Sequence, residues 1–216
     1  MNEHEFEPVR GLPEALPAGE RLLWQGSPAA VSLALRAFHV RKVAIYFGLL
    51  MAFRAGTELA AGAGAASAAG AALALLPLAV AGVALLGLLA WLTARETVFT
   101  ITDRRVVLRF GVALPIALNV PFSAVESAAL WLHRDGTGDL PLALAAGQRI
   151  AYLVNWPYVR GGRRSQPMLR AIPDAGRVAR ILAEALASHQ GGVATAPRVE
   201  SAGTSRPRRP QLAATA

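Results

Sequence analysis

The chain contains no cysteine. Disulfides, thiolate nucleophiles, cysteine-ligated zinc and iron–sulfur clusters are therefore excluded. Histidine is scarce as well. His4, His39, His133 and His189 lie far apart, so no pair stands at the helical spacing of metal ligands. Carboxylates number 14 and are scattered. Asp135 and Asp139 share one loop but lack the oxygen density of a calcium site. No GxSxG elbow occurs, and no nucleophile stands in a recognisable relation to a base. The expectation is a protein with no catalytic residues, no metal and no cofactor. Lysine is nearly absent, since 21 of the 22 basic residues are arginine. A cationic N-terminal region is also missing: Glu3, Glu5 and Glu7 stand where a cleavable secretory signal needs positive charge.

What the chain has in surplus is apolar surface. Its 216 residues are 54% hydrophobic, with a mean hydropathy of +0.38. The surplus lies between residues 43 and 92. "AALALLPLAVAGVALLGLLAWL", residues 71–92, carries no charge and is long enough to cross a bilayer, which takes about 20 residues. "VAIYFGLLMAF", residues 43–53, qualifies only if it runs on past Arg54 to residue 61. Pairing of Arg54 with Glu58 at i, i+4, or snorkelling of Arg54, makes that extension reasonable. The alternative is an interfacial helix and a single span. Two spans, 40–61 and 71–92, are expected, forming a transmembrane hairpin over residues 40–93. Pro77 falls inside the second, where a kink is tolerated.

The net charge of +8 would suit nucleic acid, anionic lipid or a topology signal. Arg36, Arg41 and Lys42 precede the apolar region, and Arg95, Arg104 and Arg105 follow it. The connection holds Arg54, offset by Glu58. This asymmetry implies that both termini are cytoplasmic. Tyr46 and Trp91 near the span ends suit the interfacial belts. Nucleic acid is not expected, because the cations sit close to a bilayer without interleaved aromatics.

Between residues 55 and 72, 14 of 18 residues are Ala or Gly. Gly48, Ala52, Gly56, Ala60 and Gly64 recur every fourth position, the stripe that lets a second helix approach closely. Such spacings also arise by chance in so Ala/Gly-rich a stretch. Candidate occupants of the stripe are the second span, another subunit's helix or a second copy of the chain. "GAGAAS", residues 62–67, follows no strand and is not a phosphate loop.

Past the apolar region the pattern changes to strands. "TVFTITDRRVVLRFG", residues 97–111, is a hairpin turning at Asp103–Arg104, with one apolar and one partly cationic face. Further strands are expected at 112–122 (interrupted by Pro115 and Pro121), 124–133, 140–144, 149–155 and 168–172. Pro173 and Asp174 open a helix whose Val178, Ile181, Leu182, Ala185 and Leu186 form one apolar stripe, ended by glycines at 191 and 192. "SAVE", residues 123–126, matches a capping box only by letter.

About seven antiparallel strands and a closing helix, placed directly after membrane helices, resemble the bacterial pleckstrin-homology-like domains attached to membrane anchors. "TITDRRVVLRFG" followed by "VPFSAVESA" carries that resemblance. So does "LPAGERLLWQGSP", residues 16–28, a strand expected to return to the sheet. With "FHVRKVAIYFGLLMAFR", residues 38–54, the chain is similar to the PuhB-type photosynthetic complex assembly proteins over about residues 6–190.

The resemblance implies an α+β membrane protein: a two-helix transmembrane hairpin and a PH-like antiparallel sheet or barrel closed by a C-terminal helix. Residues 1–15 would be a flexible N-terminus, 16–35 a strand segment joining the sheet, 95–191 the PH-like domain and 192–216 a disordered basic tail. It further implies a non-enzymatic assembly factor for the reaction centre and its core antenna in the cytoplasmic membrane. Expected partners are subunits of those complexes, membrane lipids and, as a homodimer, a second copy. Arg104, Arg105, Arg109, Arg160, Arg163 and Arg164 are the candidate lipid- or partner-facing cations. His39, at the mouth of the first span, could ligate the magnesium of a bacteriochlorophyll; its plain reading is an interfacial histidine. A generic membrane-tethered lipid-binding or membrane-stress module is the alternative function.

Overall fold

The computed structural model describes residues 16–145, 151–161, 165–189, 191 and 198–199. A strand β1 (Leu22–Gly26) and a short helix α1 (Ala30–Arg36) precede three helices, α2 (Val40–Ala60), α3 (Ala65–Leu73) and α4 (Leu76–Glu96). The chain then forms β2 (Val98–Thr102), β3 (Arg105–Phe110), β4 (Ile116–Pro121), β5 (Val125–Leu132) and β6 (Gly138–Leu144). A helical turn α5 (Tyr152–Asn155), strands β7 (Val159–Arg160) and β8 (Gln166–Ile172), helix α6 (Ala175–His189) and a two-residue strand β9 (Arg198–Val199) complete it.

The strands form two sheets rather than the single bent sheet or barrel expected. One has the order β1-β2-β3-β4 and the other β7-β8-β6-β5-β9. Among the described residues no strand pair joins them, so no barrel is closed. The reason lies at "VPFSA": β4 ends at Pro121, which cannot donate to a ladder, and Phe122–Ala124 make a 3₁₀ turn that carries the chain to the second sheet. The sheets share one core. Phe99, Ile101, Leu108 and Val120 of the first meet Leu140, Leu142, Leu169 and Ile172 of the second, with Val178 and Leu182 of α6 and Leu33 of α1.

The β2–β3 hairpin forms where its alternation predicts, with Val98 opposite Arg109 and Ile101 opposite Val106. On the partly cationic face Arg105 and Arg109 of β3 are half-buried, and all five residues of β2 are buried. Thr100 on that face accepts a hydrogen bond from Gln25 of β1 at 3.0 Å. Thr102 closes the corner, its hydroxyl accepting the backbone N–H groups of Arg104 and Arg105. At the far end of β3, Gly111 has φ +118°, and a Cβ there would lie 2.0 Å from the carbonyl oxygen of Leu114. Only glycine fits that turn.

Two further expectations differ. Residues 152–155 form the helical turn α5 instead of a strand. Asn155 donates its side-chain amide to the Ala151 carbonyl at 2.8 Å, and Pro157 follows directly. Residues 146–150 lie outside the described residues. Arg198–Val199, in the stretch read as a tail, pair in parallel with Ala129 and Leu130 of β5.

Two helical stretches are long and apolar enough to cross a membrane, Val40–Ala60 and Ala65–Glu96. The second is interrupted at Ala74–Leu75, so Pro77 stands in the first turn of α4, where its missing N–H has no helical acceptor to lose. Arg54 and Glu58 pair at 2.9 Å on α2. Apolar side chains of both stretches face outward, Phe53 being 69% and Leu85 56% exposed.

Candidate functional site

Beta-strand β1 comes before the helices and β2 after them, yet the two are hydrogen-bonded neighbours. Helix α1 packs against α4 and β8, and its Ala29 flank donates a backbone hydrogen bond to Ala171 at 2.8 Å. The helices are therefore held to the β-body at both of their ends. The residues singled out in the sequence distribute over this frame in three places.

The small-residue stripe lies on α2. Gly48, Ala52, Gly56 and Ala60 are exposed, and Gly48 and Gly56 have no other group within reach of an added Cβ. Gly64 stands beyond the helix end, as the residue capping α3. The stripe does not face the second stretch, whose nearest glycine contact is Gly82 beside Phe47. It offers an open, smooth surface of the kind on which a foreign helix can lie.

Among the described residues the candidate arginines lie in separate places. Arg104 is exposed at the β2–β3 corner. Arg105 donates two charge-assisted hydrogen bonds to the Glu20 carboxylate, at 2.8 and 2.9 Å. Glu20 is buried, so this pair fastens the entry to β1 onto β3. Arg109 is half-buried on β3, opposite Val98 and Ala117. Arg160 lies on the other sheet, its guanidinium 4.0 Å above the ring of Trp131. Arg163 and Arg164 lie outside the described residues.

Arg104 lines an open groove of about 750 Å³ between the hairpin corner and α6. Arg21, Asp103, Glu184 and His189 share it. The backbone N–H of Arg21 donates to Asp103 at 3.0 Å. Charges of both signs therefore line the groove. Beside it β1 is the sheet's edge, with Leu22 and Leu23 exposed.

His39 caps α2 in a left-handed conformation, φ 55°, and its carbonyl accepts the N–H groups of Lys42 and Val43. Its side chain is exposed. Directly before it, Phe38 meets Trp156 edge-on, ring centroids 5.1 Å apart. Sequence reasoning passed over this aromatic turn. The signal was available in "YLVNWPY", three aromatics within seven residues of a basic loop.

Behind the turn lies a buried polar cluster. The Tyr158 hydroxyl is 2.8 Å from that of Thr97, and burial pushes its phenol well above the usual range, against the lowering effect of Thr97. Asp139 accepts the Ala171 N–H at 2.8 Å and sits 3.3 Å from His133. Burial lowers the pKa of Arg170, while the negative charge of Asp139 raises it. These groups bring the end of α4, β6, β8 and the residue before β7 together in the core. Thr97 and Tyr158 bond each other and Asp139 holds the Ala171 N–H, whereas the buried Nε2 of His133 and Nε of Arg170 have no hydrogen-bond partner among the described residues.

A family model described as bacterial PH domain matches residues 32–186. The chain belongs to the bacterial PH domain family. This bacterial PH domain protein is also 36% identical over 209 residues to an uncharacterized 23.7 kDa protein from the puhA 5' region of Rhodobacter capsulatus. The alignment covers 94% of the present chain and 98% of that relative. No solved structure matches it. The family match runs from α1 to α6, so it takes the helices α2–α4 into the same unit as the sheets. The bacterial PH domain here is therefore one body into which a pair of long apolar helices is inserted.

Proposed function

We propose that this protein is a membrane-anchored, non-enzymatic assembly factor for the bacterial photosynthetic reaction centre and its core light-harvesting antenna. The observation that carries the reading is the end-to-end similarity to a protein of the puhA 5' region. That relative is named by its place beside puhA, a prefix shared with the PuhB-type assembly proteins the sequence resembles. In this reading α2 and α4 cross the cytoplasmic membrane and both termini face the cytoplasm. The open small-residue face of Gly48, Ala52 and Gly56 receives helices of nascent subunits. Their cytoplasmic ends lie along β1, whose place at the sheet's edge and exposed Leu22 and Leu23 favour strand addition. Binding of this kind involves no turnover and must be weak enough to release the finished complex. No cofactor is required, and His39 as a bacteriochlorophyll ligand is a separate question that pigment analysis of the purified protein answers.

Deletion of the gene tests the proposal. Reaction-centre and core-antenna absorbance should fall while pigment synthesis persists. Normal levels of both complexes would sink it and favour the alternative, a membrane-tethered lipid-binding or membrane-stress module. Capture of the detergent-solubilised protein from pigmented membranes should bring down subunits of these complexes.

A further inference from the structure

We infer that the turn from Tyr152 to Trp156, together with the outer stripe of α1, is an apolar foot that sinks into an anionic bilayer surface and seats the β-body on it. The inference rests on the reading that α2 and α4 span the membrane. Three side chains carry it first: Tyr152, Val154 and Trp156 are 43%, 57% and 42% exposed, although all are large and apolar. The turn that displays them is firmly built. Asn155 is buried, and its carbonyl accepts the N–H of Tyr158 at 2.8 Å. Tyr158 itself is fully buried between Phe99 and Phe110. The backbone is thus fixed from below while the apolar side chains point away from the core.

Position supplies the occupant. Trp156 packs edge-on against Phe38, two residues before α2 begins at Val40. A group touching the residues that lead into a spanning helix lies at headgroup depth. Val31, Leu35 and Phe38 fall at i, i+4, i+7, one stripe leading to the same point. Val31 is 74% and Leu35 46% exposed, whereas Leu33 of the same helix and Ala37, which caps it, are buried. Arg41 and Lys42 follow, both exposed. Aromatic and aliphatic side chains beside cations are the composition that settles at the surface of an anionic bilayer. The foot is continuous with the apolar surface of α2, so lipid covering one covers the other.

The absence of cysteine makes a direct test simple. Single variants Val154→Cys, Ser188→Cys and Leu85→Cys of the full chain, labelled with bimane, are reconstituted into vesicles of phosphatidylcholine and phosphatidylglycerol. Nitroxide-bearing lipid should quench the Val154 probe at least about twofold more than the Ser188 probe on α6, since an interfacial side chain lies about 5–10 Å into the headgroup boundary. Iodide should show the reverse order. A Val154 probe that behaves like Ser188 while the Leu85 probe is lipid-quenched overturns the foot and leaves the anchor standing. A Val154 probe shielded from both quenchers lies in a protein contact, such as a second copy, and also overturns it. A Leu85 probe that escapes lipid quenching removes the spanning reading and the foot with it.

Discussion

The β-body and the helical pair treat the same residue types in opposite ways. Phe99 and Phe122 are 0% and 1% exposed, while Phe53 on α2 is 69% exposed. In the body, every strand of the first sheet contributes to a core shared with the second sheet and α6. In the helices no comparable core forms, and Leu49, Leu78 and Leu88 face outward. The body satisfies the hydrophobic effect internally. The helices leave their apolar surface uncovered, and in the spanning reading lipid covers it. Body and helical pair therefore differ in how their apolar surface is covered although they are continuous in sequence.

Substitutions can break that contrast. The largest effect is expected from Phe99→Ala. Loss of a fully buried ring touching Tyr158 should destabilise the body by about 3–5 kcal/mol, read as denaturant unfolding of the detergent-solubilised chain, with membrane fractionation unchanged. Leu85→Arg should do the converse. A charge at the middle of α4 costs about 2.5–3.5 kcal/mol of insertion, so the chain should leave the membrane pellet. Arg105→Ala should destabilise the body by about 2 kcal/mol, because the buried Glu20 carboxylate loses both hydrogen bonds. A rescue by Glu20→Gln in that background would sharpen the assignment. The smallest effect is at Asp135, whose pKa is held below its usual 3.8 chiefly by the Thr137 hydroxyl, with Arg36 adding to it. A lowered carboxylate stabilises the fold above its unfolded pKa and loses that contribution as pH falls through the folded value. Asp135→Asn should thus remove a few tenths of a kcal/mol at neutral pH and nothing in strong acid, as expected of an exposed pair.

The elements legible from sequence were those with a long, unbroken period. The hairpin at Asp103–Arg104, strands β5, β6 and β8, and the apolar stripe of α6 all announce themselves by alternation or by 3.6-residue spacing. Residues 149–155 misled because Tyr152 and Val154 alternate over too few positions to separate a strand from one helical turn. The deciding contact, Asn155 to Ala151, is local but invisible to hydropathy. Helix α1 was hidden in a segment read as part of a strand region, though Leu33 and Ala37 stand at helical spacing. The division into two sheets was not legible, since it depends on where pairing stops. For the arginines, charge alone suggested a shared lipid- or partner-facing role. The partner of Arg105 is Glu20, 85 residues away, and no local pattern foretells it. The aromatic turn at Trp156 was overlooked because its meaning comes from Phe38, on the other side of the helices.

The register of β1 on β2 has a consequence for biogenesis. Gln25 pairs with Thr100, so the whole helical insert is a loop whose two ends must meet before the first sheet is complete. Leu33, also ahead of the insert, is part of the core. During synthesis β1 emerges first and waits for a neighbour that appears only after both helices have been made. If those helices were delivered to opposite sides, the strand would have nothing to pair with, and the unfinished sheet would be left open to quality-control proteases. In the reading that α2 and α4 span a membrane, completion of the body thus requires both ends of the insert to lie on the same side.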